Sequence, residues 1–293
     1  MREITLEELL EAGCHFGHQV TRQNPKARDF VFEARDNIHI IDLAKTKEEL
    51  DTATSFVKSL AQKGGTMVVI GTKRQAKPVV EEEFKRMREV GVDGIYTVTN
   101  RWIGGLLTNF SEVAKNFKKL KSLTERLKDP EEKAKYTKKE VGQWQKEKNK
   151  LESFYGGVFD MTRIPDALFI IDTHLEDLAV KEAARMNVTT VGIVDTNADP
   201  TAVVYPIPAN DDAVGSIQLI AKHIFDAWIE GAQSRQDETS LPASEAKTGA
   251  DKKQGAKQEE KKDNPKAEKV ESAEKPKAKR ARKPKTVSVE ALG

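Results

Sequence analysis

The sequence has one cysteine, Cys14, so no disulfide can form within the chain. That scarcity fits a reducing compartment. No apolar run approaches the roughly 20 residues of a spanning helix, and the first residues, Met-Arg-Glu-Ile-Thr-Leu-Glu-Glu, show no apolar signal core. A soluble intracellular protein is expected. The catalytic and cofactor signatures are missing too. Ile70-Gly71-Thr72-Lys73-Arg74-Gln75 is not G-x-G-x-x-G, and neither G-x-x-x-x-G-K-[ST] nor G-x-S-x-G occurs. Asp166, Asp172 and Asp195 sit at the edges of apolar runs, where aspartate commonly serves turns and caps. No set of carboxylate, base and nucleophile emerges, and no cofactor is expected.

A strong charge of either sign is also lacking, since the net charge is only +2. Its distribution is uneven. Residues 237–293 carry 15 Lys/Arg against 11 Asp/Glu, and residues 112–152 carry 13 against 8, so the remainder is acidic. Cations gathered in a middle segment, a tail and short loops point to contact with an anionic partner through particular patches.

What is present is rhythm. Thr5 and Glu8 make a capping-box pattern before a helix over 6–12 that Gly13 stops. Short apolar runs at 38–41, 66–70, 95–98, 167–171, 191–194 and 202–205 alternate with helical spacings, including Leu50, Ala53, Val57 and Leu60, a helix from Leu175 to Met186, and a final helix after Asn210-Asp211-Asp212. That alternation predicts an α/β fold with about five parallel strands covered on both faces. Within it, Phe110, Val113, Phe117, Leu120, Thr124 and Leu127 follow a heptad-like stripe, repeated by Thr137, Val141, Trp144, Lys148, Leu151 and Tyr155 beyond Asp129-Pro130. Residues 108–156 are therefore expected as an antiparallel helical hairpin inserted in a domain over 1–236. Lysines such as Lys118 and Lys119 line its outer faces. Residues 237–293, rich in Lys, Glu, Ala and Pro, are expected to be disordered.

The densest chemistry is Gly13-Cys14-His15-Phe16-Gly17-His18, followed by Arg22, Asn24, Pro25, Lys26 and Arg28. Cys14, His15 and His18 could supply metal ligands, but their spacing matches no usual zinc pattern and no second Cys/His pair follows. No metal is expected. His15, Gly17, His18 and Pro25 read as loop-shaping residues, and the cations suit phosphate. Lys73 and Arg74 lie at a helix N-terminus, which favours an anion. Thr99-Asn100-Arg101-Trp102-Ile103-Gly104-Gly105 leads through Thr108 to Asn109. Arg101 there could bind phosphate, while Trp102, Gly104 and Gly105 could shape the junction with the hairpin. The expected RNA contacts are thus Arg22, Asn24, Lys26, Arg28, Lys73, Arg74, Asn100, Arg101, Asn109, Lys118 and Lys119. An enzyme acting on a phosphorylated sugar or nucleotide, with its pocket at the strand C-termini, is the rival from another class. A protein-interaction scaffold using the hairpin is a third reading.

The motifs GCHFGHQ, NPKARDFVFEARDNIHIIDL, VVIGTKRQA, TNRWIGGLLTNF, IPDALFIIDTHLEDLAVKEA and IPANDDAVGSI, in that order, resemble the bacterial small-subunit ribosomal protein S-two family over about residues 2–231. Cys14 departs from a usually aliphatic position, and the long tail lies outside the resemblance. The resemblance implies a non-enzymatic protein with a flavodoxin-like or Rossmann-like domain and an inserted coiled coil. It also implies a cytoplasmic ribosomal location and binding to small-subunit ribosomal RNA. Neighbouring ribosomal proteins are implied as partners, among them ribosomal protein S-one, which it would help recruit. A membrane or a small-molecule substrate is not expected.

Overall fold

The computed structural model describes residues 2–240, so the expected tail lies outside the described residues from 241 onward. Helix α1, Leu6–Glu11, opens with the capping box read from sequence: Thr5 and Glu8 each accept from the other's backbone N–H. Gly13, at φ 75°, turns the chain out of it. The run 38–41 does form a strand, but not in the parallel sheet. Strands β1 (Phe16–Gln19), β2 (Val31–Arg35) and β3 (Ile38–Ile41) make a separate antiparallel sheet in the order β1-β3-β2. The β2–β3 turn is Asp36-Asn37, with both φ values positive at 51° and 63°. That matches a two-residue hairpin turn, which Asn and Asp tolerate better than other side chains.

The large sheet holds β4 (Met67–Ile70), β5 (Ile95–Val98), β6 (Ala167–Ile170), β7 (Thr189–Val194) and β8 (Tyr205–Pro208), all parallel, in the order β5-β4-β6-β7-β8. Counted along the chain this is 2-1-3-4-5, the flavodoxin-like arrangement, whose switch point lies between β4 and β6. The last strand falls later than the apolar run 202–205 predicts, because Pro200 to Ala202 form a 3-10 turn first. Strand β8 contains Pro206 and Pro208 and stands at the sheet edge, where a strand can lack N–H donors.

Side chains alternate between two cores, as pleating requires. Met67, Val69, Ile95, Phe169, Val191 and Ile193 pack with helices α2 (Leu43–Gln62), α3 (Ala76–Glu89) and α8 (Val214–Ser240). Val68, Ile70, Val98, Leu168 and Ile170 pack on the other face with Ala179, Val180 and Ala183 of α7, Asp177–Met186. Trp102, Leu106 and Leu107 complete that second core, together with Val113 and Phe117 from the base of the hairpin.

The hairpin replaces a simple crossover between β5 and β6. Its arms are α4 (Phe110–Lys128) and α6 (Lys138–Tyr155), joined by the short α5 (Pro130–Ala134). At 1.5 Å per residue each arm is about 27 Å long. The arms differ. Helix α4 buries Val113, Phe117, Leu120 and Leu123, whereas no residue of α6 is fully buried. Val141, Trp144, Lys148, Leu151 and Tyr155 of α6 are half-buried, along the stripe read from sequence. Leu123 takes the buried place in α4, leaving Thr124 and Leu127 half-buried. Near the tip, Trp144 lies 4.6 Å from the Tyr136 ring and 5.7 Å from the Arg126 guanidinium. The chain re-enters the domain at Gly157, where an added Cβ would stand 2.1 Å from the Thr97 carbonyl oxygen. Only glycine permits that approach.

Candidate nucleic-acid interface

Three of the four cationic segments singled out in the sequence converge on the C-terminal edge of the parallel sheet. Lys73 and Arg74 follow β4, Asn100 and Arg101 follow β5, and the segment 22–28 is tied to the end of β7 through Asn24, whose N–H donates to the Thr196 carbonyl at 2.8 Å. Lys118 and Lys119 lie apart, on α4.

Lys73 does not present an open charge. Its Nζ lies 2.8 Å from each of Asp172, Asp211 and Asp212, with the side chain 16% exposed. Burial alone would lower its pKa; the three carboxylates outweigh burial and hold it above the ordinary lysine range. Asp211, fully buried, is pushed up to about 7 by burial, then by Asp172 and Asp195, against the pull of Lys73. Asp172 and Asp211 are brought to Lys73 by β6 and by the β8–α8 loop. Just ahead of the last helix, Asn210 Oδ1 shapes the turn by accepting the N–H groups of Asp212 and Ala213.

His18 joins the same cluster. Its Nδ1 lies 3.1 Å from Asp195 and its Nε2 3.6 Å from Asp212. The Asp195 hydrogen bond outweighs burial and raises the imidazole pKa. One ligand atom each of His18, Asp195 and Asp211 lie within 4.8 Å of one another, and Asp211 Oδ2 has no hydrogen-bond partner. These three could hold a small divalent cation, a donor set that spacing along the chain does not reveal. The other residues weighed as ligands stand elsewhere. Cys14 is fully buried, with its thiol pushed up by that burial. The His15 ring packs 4.0 Å from Phe16.

The loop from 99 to 109 is organised by Glu182 of α7. This buried carboxylate accepts from Gly105 N at 2.7 Å, Leu107 N at 3.2 Å, Thr108 N at 3.3 Å, Thr108 Oγ1 at 3.1 Å and Trp102 Nε1 at 3.3 Å. Burial would raise its pKa, but these donors outweigh it and hold the carboxyl below the usual glutamate range. Trp102, 4% exposed, is a packing residue and not a free stacking surface. Gly105 sits at φ 89° and Gly104 is exposed. Asn100 accepts from Lys77 Nζ at 2.7 Å and donates to the Ser153 carbonyl. Arg101 and Asn109 are exposed.

In the segment 22–28, Asn24 Oδ1 caps Lys26 N at 3.0 Å and Pro25 opens a 3-10 turn. Lys26 reaches Asp199 at 2.6 Å and Thr201 at 3.2 Å. Gly17 lets β1 approach Thr196, since a Cβ there would stand 2.7 Å from its side chain. Lys119 pairs with Glu147 of the opposite arm. Among the described residues Arg22, Arg28, Arg74, Arg101 and Lys118 are exposed and form no ion pair.

Strand order and hairpin together define a class, a flavodoxin-like α/β domain carrying an inserted helical arm. The family model described as "Ribosomal protein S2" matches residues 9–231. "Small ribosomal subunit protein uS2" of Geotalea uraniireducens (strain Rf4) is 46% identical over 235 residues, covering 80% of this chain and 89% of that protein. The protein of the same name from Sorangium cellulosum (strain So ce56) is 45% identical over 234 residues, covering 80% and 82%. The chain belongs to the ribosomal protein S2 family. No helix among the described residues is long and apolar enough to cross a membrane.

Proposed function

We propose that this protein is a non-catalytic RNA-binding component of the small ribosomal subunit, acting in the cytoplasm. It holds small-subunit ribosomal RNA by its backbone and shape while contacting neighbouring ribosomal proteins. The observation that carries this reading is the set of unpaired arginines, Arg22, Arg28, Arg74 and Arg101, brought by separate segments towards one sheet edge. Cations free of carboxylate partners are the ones that can exchange condensed counterions for protein contacts. Asn24, Asn100 and Asn109 add amide groups beside them, and Lys118 extends the charge along α4. Lys26 and Lys119 contribute less, each being engaged by a carboxylate. Lys73 serves the fold and not the RNA. Support for subunit assembly and help in recruiting ribosomal protein S-one follow from the family resemblance.

Sedimentation of lysate through a salt-containing gradient tests the assignment. The full chain is expected with the small subunit at moderate salt, and a variant lacking the four arginine charges is expected to shift toward the soluble fraction. A wild-type chain found only in the soluble fraction would overturn the reading. Loss of S-one from particles lacking this chain tests the recruiting role.

A further inference from the structure

Beside the switch point, a cleft of about 610 Å³ opens between the ends of β4, β5 and β6. Thr72, Arg101, Gly104, Leu175, Glu176 and Leu178 line it. Its chemistry is uneven in a way that resembles one kind of ligand. Leu175 and Leu178 are 56% and 52% exposed, an unusual outlay of apolar surface at the start of a helix. Gly104 leaves the opposite wall low: a Cβ there would stand 3.5 Å from Leu178 Cδ2. Arg101 supplies an exposed, unpaired cation. Glu176 supplies a carboxylate that is 8% exposed and accepts from Thr72 Oγ1 at 2.5 Å. Burial first, then Asp172, pushes that carboxyl up, against Thr72 and Arg101.

We propose that this cleft receives one unstacked guanosine of the bound RNA. The flat base lies against Leu175 and Leu178. Its N1–H and N2–H donate to the Glu176 carboxylate, and its phosphate meets Arg101. A carboxylate only accepts, so it selects the base edge that offers two adjacent donors. Guanine has that edge; adenine offers N6–H beside an acceptor, and uracil offers one N–H between two carbonyls. Single-stranded bases are read on such edges once splayed from the stack. The favoured occupant is RNA and not an acidic peptide, because an acidic peptide offers no flat edge with two adjacent donors to Glu176.

The proposal rests on the RNA-binding reading, and the test separates the two. The full chain is titrated with the oligomers UUGUU, UUAUU and UUIUU, and with GMP, while the Leu175 and Leu178 methyl signals are followed by NMR. UUGUU is expected to shift both methyls and to bind roughly five- to tenfold tighter than the adenine and inosine oligomers; inosine lacks the N2 donor. Glu176→Gln is expected to erase that preference, because the glutamine oxygen stays on Thr72 and its amide N–H groups then face the guanine donors. Arg101→Ala weakens all three oligomers alike. Equal affinity for the three oligomers, or a preference that survives in E176Q, overturns the guanosine site. GMP binding as tightly as UUGUU overturns RNA as the source. Binding of purified small-subunit RNA is measured in parallel. Its persistence alongside oligomer indifference sinks only the cleft, whereas its absence sinks the RNA-binding reading as well.

Discussion

Glu182 on α7 accepts the Gly105 N–H at 2.7 Å, and through it a buried helix side chain sets the path of the loop that launches the hairpin. Four further donors converge on the same carboxylate, three of them backbone or side-chain groups of Leu107 and Thr108. Glu182→Ala would leave them without an acceptor, at a cost of about 2–4 kcal/mol. Denaturation followed by tryptophan fluorescence should show this loss. Glu182→Gln, which keeps one acceptor oxygen, should lose less.

The same carboxylate gives a pH signature. Its folded pKa lies below the ordinary value. Its stabilisation is therefore complete above the unfolded glutamate pKa and disappears as pH falls through the lower folded one. The wild-type chain should lose stability in that acid window more steeply than E182Q. Parallel acid titrations of the two would show equal slopes if Glu182 were not responsible.

Lys73 and Asp211 yield a prediction of the opposite sign. Lys73→Met strands three carboxylates beside one another and should destabilise by about 3–5 kcal/mol. Burial already pushes the Asp211 carboxyl up to about 7, well above an unfolded aspartate. A raised carboxyl favours the fold at low pH and loses that contribution as pH rises through its folded pKa. Removing Lys73 raises Asp211 further, so the K73M defect should be larger at mildly alkaline than at mildly acidic pH. Urea denaturation at the two pH values, with a chelator present, measures the difference.

The parallel sheet was legible because both of its faces are covered. Residues such as Val68, Val69, Leu168 and Phe169 form continuous apolar runs that no solvent-exposed strand would carry. The antiparallel sheet was not legible in full. Val31 to Arg35 show neither a run nor an alternation, since four of the five are exposed. The hairpin announced itself by its stripe. The candidate interface was half legible. Residue type and local spacing gave the loops and their cations. They could not tell Lys73 from Arg74, neighbours with opposite fates, because the partners of Lys73 lie about a hundred or more residues away in the chain. Glu182 was hidden for the same reason, reading as one more charge on an amphipathic helix.

The hairpin should respond unevenly to truncation along its length. Phe117 is buried at its base, with the Phe110 and Tyr155 rings 6.1 Å and 5.6 Å away. Phe117→Ala removes contacts shared with the core beneath α7 and should cost about 3–5 kcal/mol of global stability. Trp144 contacts only Tyr136 and Arg126 among the ring partners described, near the tip. Trp144→Ala should raise amide exchange across α5 and the start of α6 while leaving the sheet's exchange unchanged. Hydrogen-exchange mass spectrometry distinguishes the two patterns.

Lys73 and Arg74, adjacent in sequence, should separate cleanly in RNA binding. The Arg74 guanidinium is exposed with no ion pair among the described residues, so Arg74→Ala leaves the fold intact and removes one contact to phosphate. The slope of log K against log salt should fall by roughly 0.7 to 0.9 for that single contact. Arg74→Ala with Arg101→Ala should lower it by about twice as much. Lys73→Met should leave the slope unchanged wherever the variant remains folded, because the three carboxylates at 2.8 Å already neutralise its ammonium. Circular dichroism of each variant under the binding conditions identifies the folded samples. Filter binding to small-subunit RNA over a series of salt concentrations then gives the slopes. A slope reduced by K73M but not by R74A would reverse the assignment, placing Lys73 on the RNA and Arg74 in solvent.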